Sequence, residues 1–171
     1  IDFSAEVEGI RREIKNIDRA ADPRVLFGFE GAATKKIYFS GFRRAIPPEF
    51  GFTGRNYHPP RDAINALLSY GYGILYSRIR RAVVTAGLSP YYGVHHMSYK
   101  KQEALVYDLI EEFRQPVIDR VVLTAVHQGR IRPDQFSCTP EGCIIDPHAK
   151  KAYASAIMKR LHTEYSYMDG K

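Results

Sequence analysis

Between Arg61 and Ala86 the apolar residues Ile64, Leu67, Leu68, Ile74, Leu75 and Ile79 recur at helical spacing, with no proline to interrupt them. A helix that long buries its stripe only against other helices or a sheet, so it dictates the architecture around it. The remaining segments supply mostly helices. Ser4 opens a helix reaching to about Ala21, with Val7, Ile10, Ile14 and Ile17 at three- and four-residue intervals. Asp22-Pro23 starts a second, carrying Val25, Leu26, Phe29, Ala33 and Ile37 towards Phe42. A further helix begins near Ala104 and runs to about His127. Pro116 should kink it or split it in two. Strand-like character is confined to Phe136–Ile145, which reads as a hairpin, and a last helix spans about Pro147 to Tyr165. The expectation is a mainly α, bundle-like domain with one short β-hairpin near its C-terminal end. Gly71 and Gly73 weaken the middle of the long helix, which predicts close helix contact or bending there.

At 171 residues the chain fits one domain, 1–171, with a core large enough to need no disulfide or structural metal. It starts at Ile1 without an initiator Met or a signal segment and reads as a fragment of a soluble, cytoplasmic protein. No apolar run approaches the roughly 20 residues that cross a bilayer. The 25 Lys and Arg against 19 Asp and Glu leave a net charge of +6, which favours polyanions but equally describes an ordinary solvated surface. Cys138 and Cys143 bracket a four-residue turn, where a hairpin would bring them within bridging distance. A reduced pair, a disulfide and a zinc site shared with His148 all fit that spacing.

Three segments join acids or imidazoles to glycine or basic neighbours. Glu30-Gly31 lies inside an otherwise apolar helix, and Glu30 is either a surface residue or the edge of a polar cleft. His95 and His96 follow Gly93-Val94 in a loop and precede Lys100 and Lys101. Adjacent histidines in a loop diverge, so at most one serves a given site. Asp108 and Glu111 are three residues apart on one helix face, and need a cation, solvent, or Arg114 or Arg120 to offset their repulsion. The long loop between Ala45 and Pro60, rich in Pro, Gly and aromatics, is of the kind that more often carries function.

The order of these segments closely resembles the CRISPR-associated adaptation integrase and endonuclease (Cas-one) family. The residues that carry the resemblance are Glu30-Gly31-Ala32-Ala33 with Tyr38-Phe39, Pro60-Arg61-Asp62, and Asn65 to Tyr72. They continue through Gly87 to His96, Leu105 to Arg114, and Pro116 with Asp119 and Arg120. Ser89 stands where the family often has Asp, and Gln115 separates Arg114 from Pro116; neither falls on a ligand position. The resemblance implies that Glu30, His96 and Glu111 bind Mg²⁺ or Mn²⁺, with Asp108 as a supporting acid, and its glycine-x-x-histidine spacing selects His96 over His95. It implies metal-dependent phosphodiester strand transfer and hydrolysis in CRISPR spacer acquisition, a role in antiviral defence. It also implies as partners branched or 3′-ended duplex DNA and the CRISPR repeat, a homodimer of the full-length protein, and a small ferredoxin-like adaptation subunit. The family's N-terminal β-rich domain is expected to be absent from this fragment.

Lys35, Lys36, Arg43, Arg44, Arg55, Arg61, Arg78, Arg81, Lys100 and Lys101 flank these segments as candidate phosphate contacts. Tyr57, Tyr91 and Tyr92 suit stacking on unpaired bases, or equally core packing. Two alternatives remain open from sequence: a casposase that integrates a mobile element, and a non-catalytic helical module that binds nucleic acid.

Overall fold

The computed structural model describes residues 1–19, 28–29, 31–94 and 102–164, with the backbone alone at positions 32, 34 and 35. Among the described residues it is a helical assembly around one long central helix, with one two-stranded hairpin. Helix α1 is Ser4–Asp18. A π-helical stretch, Ala32–Tyr38, runs directly into α2, Phe39–Ala45. The central helix α3 is Ala63–Thr85, α4 is Ala104–Phe113 and α5 is Arg120–His127. The hairpin strands β1 (Phe136–Thr139) and β2 (Gly142–Ile145) are antiparallel, and α6 (Pro147–Leu161) closes the described chain.

Helix α3 starts where Asp62 accepts a hydrogen bond from the Asn65 N–H at 2.8 Å, satisfying one of the free donors of its first turn. It ends at Gly87, whose φ of 74° suits a residue without a Cβ. Ile64, Leu67, Leu68 and Leu75 are almost fully buried on it, against Ile110, Ile118, Val122, Tyr153 and Ile157 of neighbouring helices. Close approach is concentrated at Gly71, where a Cβ would lie 2.6 Å from Ile118 Cγ2 and 2.7 Å from the Tyr153 hydroxyl. Gly73, paired with Gly71 in the expectation from sequence, has open space around it.

Pro116 neither splits nor ends its helix. Residues Arg114–Asp119 form a π-helical turn that carries α4 into α5, and Val117, Ile118 and Asp119 on it are buried. The wider turn accommodates a residue that lacks an N–H and crowds the carbonyl four positions earlier. The Pro116 carbonyl accepts from Arg160 Nε of α6 at 3.0 Å.

Three other expectations change. Ser4 is the first residue of α1 rather than its cap, and Asp2 accepts from the Ser4 N–H and hydroxyl. No residue of α1 is buried, so the Val7 and Ile14 stripe stays exposed among the described residues. Cys138 and Cys143 face each other across the hairpin and are joined by a disulfide, which selects one of the three states open from sequence. The segment 20–27, expected to end the first helix and start the second, and Tyr165, at the end of the last, lie outside the described residues. No helix among the described residues is long and apolar enough to cross a membrane.

Gly71→Ala should destabilise the fold by about 1–3 kcal/mol through overpacking against Ile118 and Tyr153, whereas Gly73→Ala should be neutral or slightly stabilising. Urea denaturation of both variants measures the difference.

Candidate functional site

The acids of α4 lie between the loop at Val94 and the π-helical turn that follows the helix. Asp108 accepts a hydrogen bond from the Val94 backbone N–H at 2.6 Å. It thus holds the strand of loop that leads, in sequence, to His95 and His96. Three residues on, Glu111 pairs with Arg114 Nη1 at 2.7 Å and keeps 37% of its side chain open to solvent. Arg114, one of the two arginines proposed from sequence as a counter-charge, takes that role. The other, Arg120, makes no ion pair among the described residues.

Behind Arg114 lies a buried polar network centred on Asp119. Its guanidinium sits 4.9 Å from the centre of the Tyr72 ring. The Tyr72 hydroxyl donates to Asp119 Oδ1 at 2.6 Å, and the Tyr38 hydroxyl donates to Oδ2 at 2.6 Å. Asp119 is only 2% exposed. Burial raises its pKa, opposed by the two tyrosyl hydrogen bonds and by the positive charges of Arg114 and Arg55. Burial likewise pushes both tyrosines far above the ordinary phenol range, and the Asp119 charge adds to this. Both stay neutral donors.

Arg55 enters the same network from the long loop. Its guanidinium lies 4.7 Å from the Tyr57 ring centre and 5.5 Å from that of Tyr72. Nη1 donates to the Asn65 side-chain carbonyl at 2.9 Å, and Nη2 to Ser69 Oγ at 3.2 Å. Burial lowers its pKa and the neighbouring tyrosines oppose the shift. Asn65 is fully buried and pins the loop. Besides Arg55 it accepts from the Asn56 N–H at 2.9 Å, and it donates to the Gly54 carbonyl at 2.9 Å and to Asp62 at 2.6 Å. The loop expected to be functional is therefore a fixed arm, anchored further by buried Phe50 and Phe52. Between this arm and α2 a 310 Å³ cleft is lined by Ser40, Arg43, Thr53, Arg55 and Tyr57.

Two of the three expected metal ligands, Glu30 and His96, lie outside the described residues, as do His95, Lys100 and Lys101. Glu111 and Asp108 are described and share one face of α4. Among the described residues no three His, Cys, Asp or Glu side chains cluster for a metal. Of the candidate phosphate contacts, Arg43 and Arg55 meet at the cleft, while Lys36, Arg61 and Arg81 are exposed elsewhere. Arg78 donates to Met158 Sδ. Arg44 is engaged internally, paired with Glu6 at 2.5 Å and donating to the Asp2 carbonyl at 2.7 Å. Tyr57, Tyr91 and Tyr92 are all exposed, which removes core packing as their explanation. Asn65, Tyr72 and Asp119 were visible only as parts of a family pattern; nothing in their spacing announces that they converge.

Residues 1–159 match the family described as CRISPR associated protein Cas1. The chain belongs to that family. It is 48% identical over 166 residues to the CRISPR-associated endonuclease Cas1 1 of Methanospirillum hungatei, covering 92% of this chain and 50% of that protein. The chain thus spans about half the length of the curated Cas1 relatives it matches. The backbone superposes on a chain of the Cas6-RT-Cas1–Cas2 complex with a TM-score of 0.85 and 25% identity, covering 98% of this chain and 18% of the other. A casposase bound to its integration product shares the fold, with a TM-score of 0.81 and 22% identity over 99% of this chain and 51% of that one.

Replacing Asp119 with Leu leaves two buried tyrosyl hydroxyls without an acceptor and should cost about 2–4 kcal/mol. Asp119→Asn retains an acceptor and should cost less. The pH dependence carries a sign. Because the folded-state pKa is raised, stability from this group is fullest below the unfolded carboxylate value and is lost as pH rises towards the folded one. Denaturation of Asp119→Asn across pH should lack that decline.

Proposed function

We propose that this chain carries the site of a metal-dependent Cas1-family endonuclease and integrase, cutting and joining DNA by phosphodiester strand transfer during CRISPR spacer acquisition. The observation that carries the reading is the α4 face. Asp108 grips the backbone leading to His96, and Glu111, held by Arg114, stays open to solvent one turn away.

The residues fit a hard divalent cation. In this reading Glu30, His96 and Glu111 hold Mg²⁺ or Mn²⁺, since two carboxylates and one imidazole suit such an ion. When bound, the ion offsets charge developing at the scissile phosphate. The chain's own groups do the rest. Asp108 fixes the loop carrying the histidine, and Arg114 keeps the Glu111 carboxylate aimed while balancing its charge. Arg43, Arg55 and Tyr57 receive a DNA end, with phosphates on the guanidiniums and an unpaired base on the ring. Lys36, Arg61, Arg78 and Arg81 extend the basic surface, Lys35, Lys100 and Lys101 remain candidate phosphate contacts by sequence, and Arg44 contributes less because Glu6 already neutralises it.

A 3′-hydroxyl as nucleophile joins strands and water hydrolyses them at the same phosphorus centre. The endonuclease names of the relatives support the cutting reaction, and the DNA-bound casposase of like fold supports the joining one. The complex that contains Cas2 supports a small ferredoxin-like partner subunit, and the reading includes a homodimer of the longer protein and a cytoplasmic location. A casposase role rests on fold alone, whereas the CRISPR reading has the family match behind it.

Strand transfer on branched DNA, measured in the full-length protein with and without Mn²⁺, tests this. Glu30→Ala, His96→Ala and Glu111→Ala should each reduce the metal-dependent rate by at least about 100-fold. Undiminished rates in all three would mean a binding module without catalysis.

A further inference from the structure

A second basic cleft, of 360 Å³, lies between α5 and α6, and its cations are outside the set expected to touch DNA. Arg120 and Gln128 come from α5 and its end, Arg130 from the following turn, and Lys159 and Arg160 from the last turn of α6. Among the described residues no Asp or Glu lines it. Arg120, Arg130 and Lys159 form no ion pair among the described residues. Arg160 is positioned by its bond to the Pro116 carbonyl at the π-helical turn. Four like charges on one concave surface repel one another, and a cleft concentrates their field on whatever anion enters it.

The lining also says which anion. Thr124 and Thr163 turn their hydroxyls back onto the carbonyls of Arg120 and Lys159, each at 2.7 Å, so charge is the main recognition on offer. Among the described residues no aromatic side chain lines the cleft, in contrast to the Arg55 and Tyr57 cleft. None of them offers an unpaired base a ring to stack on. A row of phosphates does have partners, since cations from two helices match a backbone without reading its sequence.

We infer that the cleft of Arg120, Arg130, Lys159 and Arg160 binds the phosphate backbone of double-stranded DNA, separately from the cleft that takes an unpaired end. Strand transfer joins two DNAs, and on that reading, which this inference deepens, the duplex held here is the one that receives the new strand. The π-helical turn then has a functional consequence. It lets one unbroken helical run present Glu111 to the reacting phosphate and Arg120 to the duplex.

The test is binding in EDTA, by fluorescence anisotropy of the full-length protein across a salt series. The two probes are a duplex closed by hairpins at both ends and a single-stranded oligonucleotide. The triple variant Arg120→Ala, Arg130→Ala, Lys159→Ala should bind the closed duplex about tenfold or more weakly, its salt slope shallower by about one per cation removed. Its single-strand affinity should stay near that of the native protein. Arg120→Lys with Arg130→Lys keeps the charge and should keep duplex binding. Unchanged duplex affinity and slope in the alanine variant would overturn the inference, as would an equal loss on both probes or loss in the lysine variant. Glu111→Ala, assayed in parallel, keeps the two questions apart. If it loses strand transfer but binds the closed duplex normally, the surface and the chemistry are separate. If it retains strand transfer while the alanine variant loses duplex binding, the catalytic reading falls and the duplex surface stands.

Discussion

A carboxylate buried in a helical core is expensive, and Asp119 is kept there by two tyrosyl hydroxyls and two nearby guanidiniums. Each of those partners comes from a different part of the chain. Tyr38 lies on the π-helical stretch before α2, Tyr72 on the central helix, Arg55 on the long loop, and Arg114 on the turn between α4 and α5. Solvating one charge therefore ties together the elements that surround the candidate site. The same requirement fixes the Tyr72 ring, on which Arg114 rests while it holds Glu111. Charged groups placed in advance need no rearrangement when a charged ligand arrives, and the hydrogen bonds around Asp119 contribute to that order.

The continuous rod from Ala104 to His127 is the second constraint. A regular α-helix cannot pass through Pro116 without losing a bond and meeting a clash, and a break would let the two halves diverge. The π-helical turn keeps the helical run unbroken while shifting the register of everything after it. Asp108, Glu111 and Arg114 precede or begin the shift; Asp119 and Arg120 follow it. The register places Asp119 in the core and leaves Arg120 exposed in the basic cleft, where from sequence it was a candidate partner for the α4 acids.

Much of the architecture was legible in advance because it rests on local periodicity. The span of the central helix, the hairpin over Phe136 to Ile145 and the facing cysteines follow from spacing and turn chemistry within a few residues. The exposed stripe of α1 was not legible, since periodicity says that a face is apolar and not whether anything covers it. Among the basic residues, Arg44 looked like a phosphate contact because its pairing with Glu6 spans 38 positions. Which of the two central-helix glycines is spatially required, Gly71 rather than Gly73, was equally invisible, because what crowds it comes from Ile118 and Tyr153.

By itself the sequence determined the helical class and the acids of α4. Its motif order also determined the Cas1 family, because these depend on residue type and on spacing along the chain. Only the tertiary structure decided that Arg114 rather than Arg120 balances Glu111, that Asp108 reaches back to the loop at Val94, and that four cations from two helices and the turn between α5 and the hairpin share a second cleft. Those are relations between residues distant in sequence or turned by a non-standard helical register. Charge and hydrogen bonding act through space, and spacing along a chain does not report that distance until the core has closed.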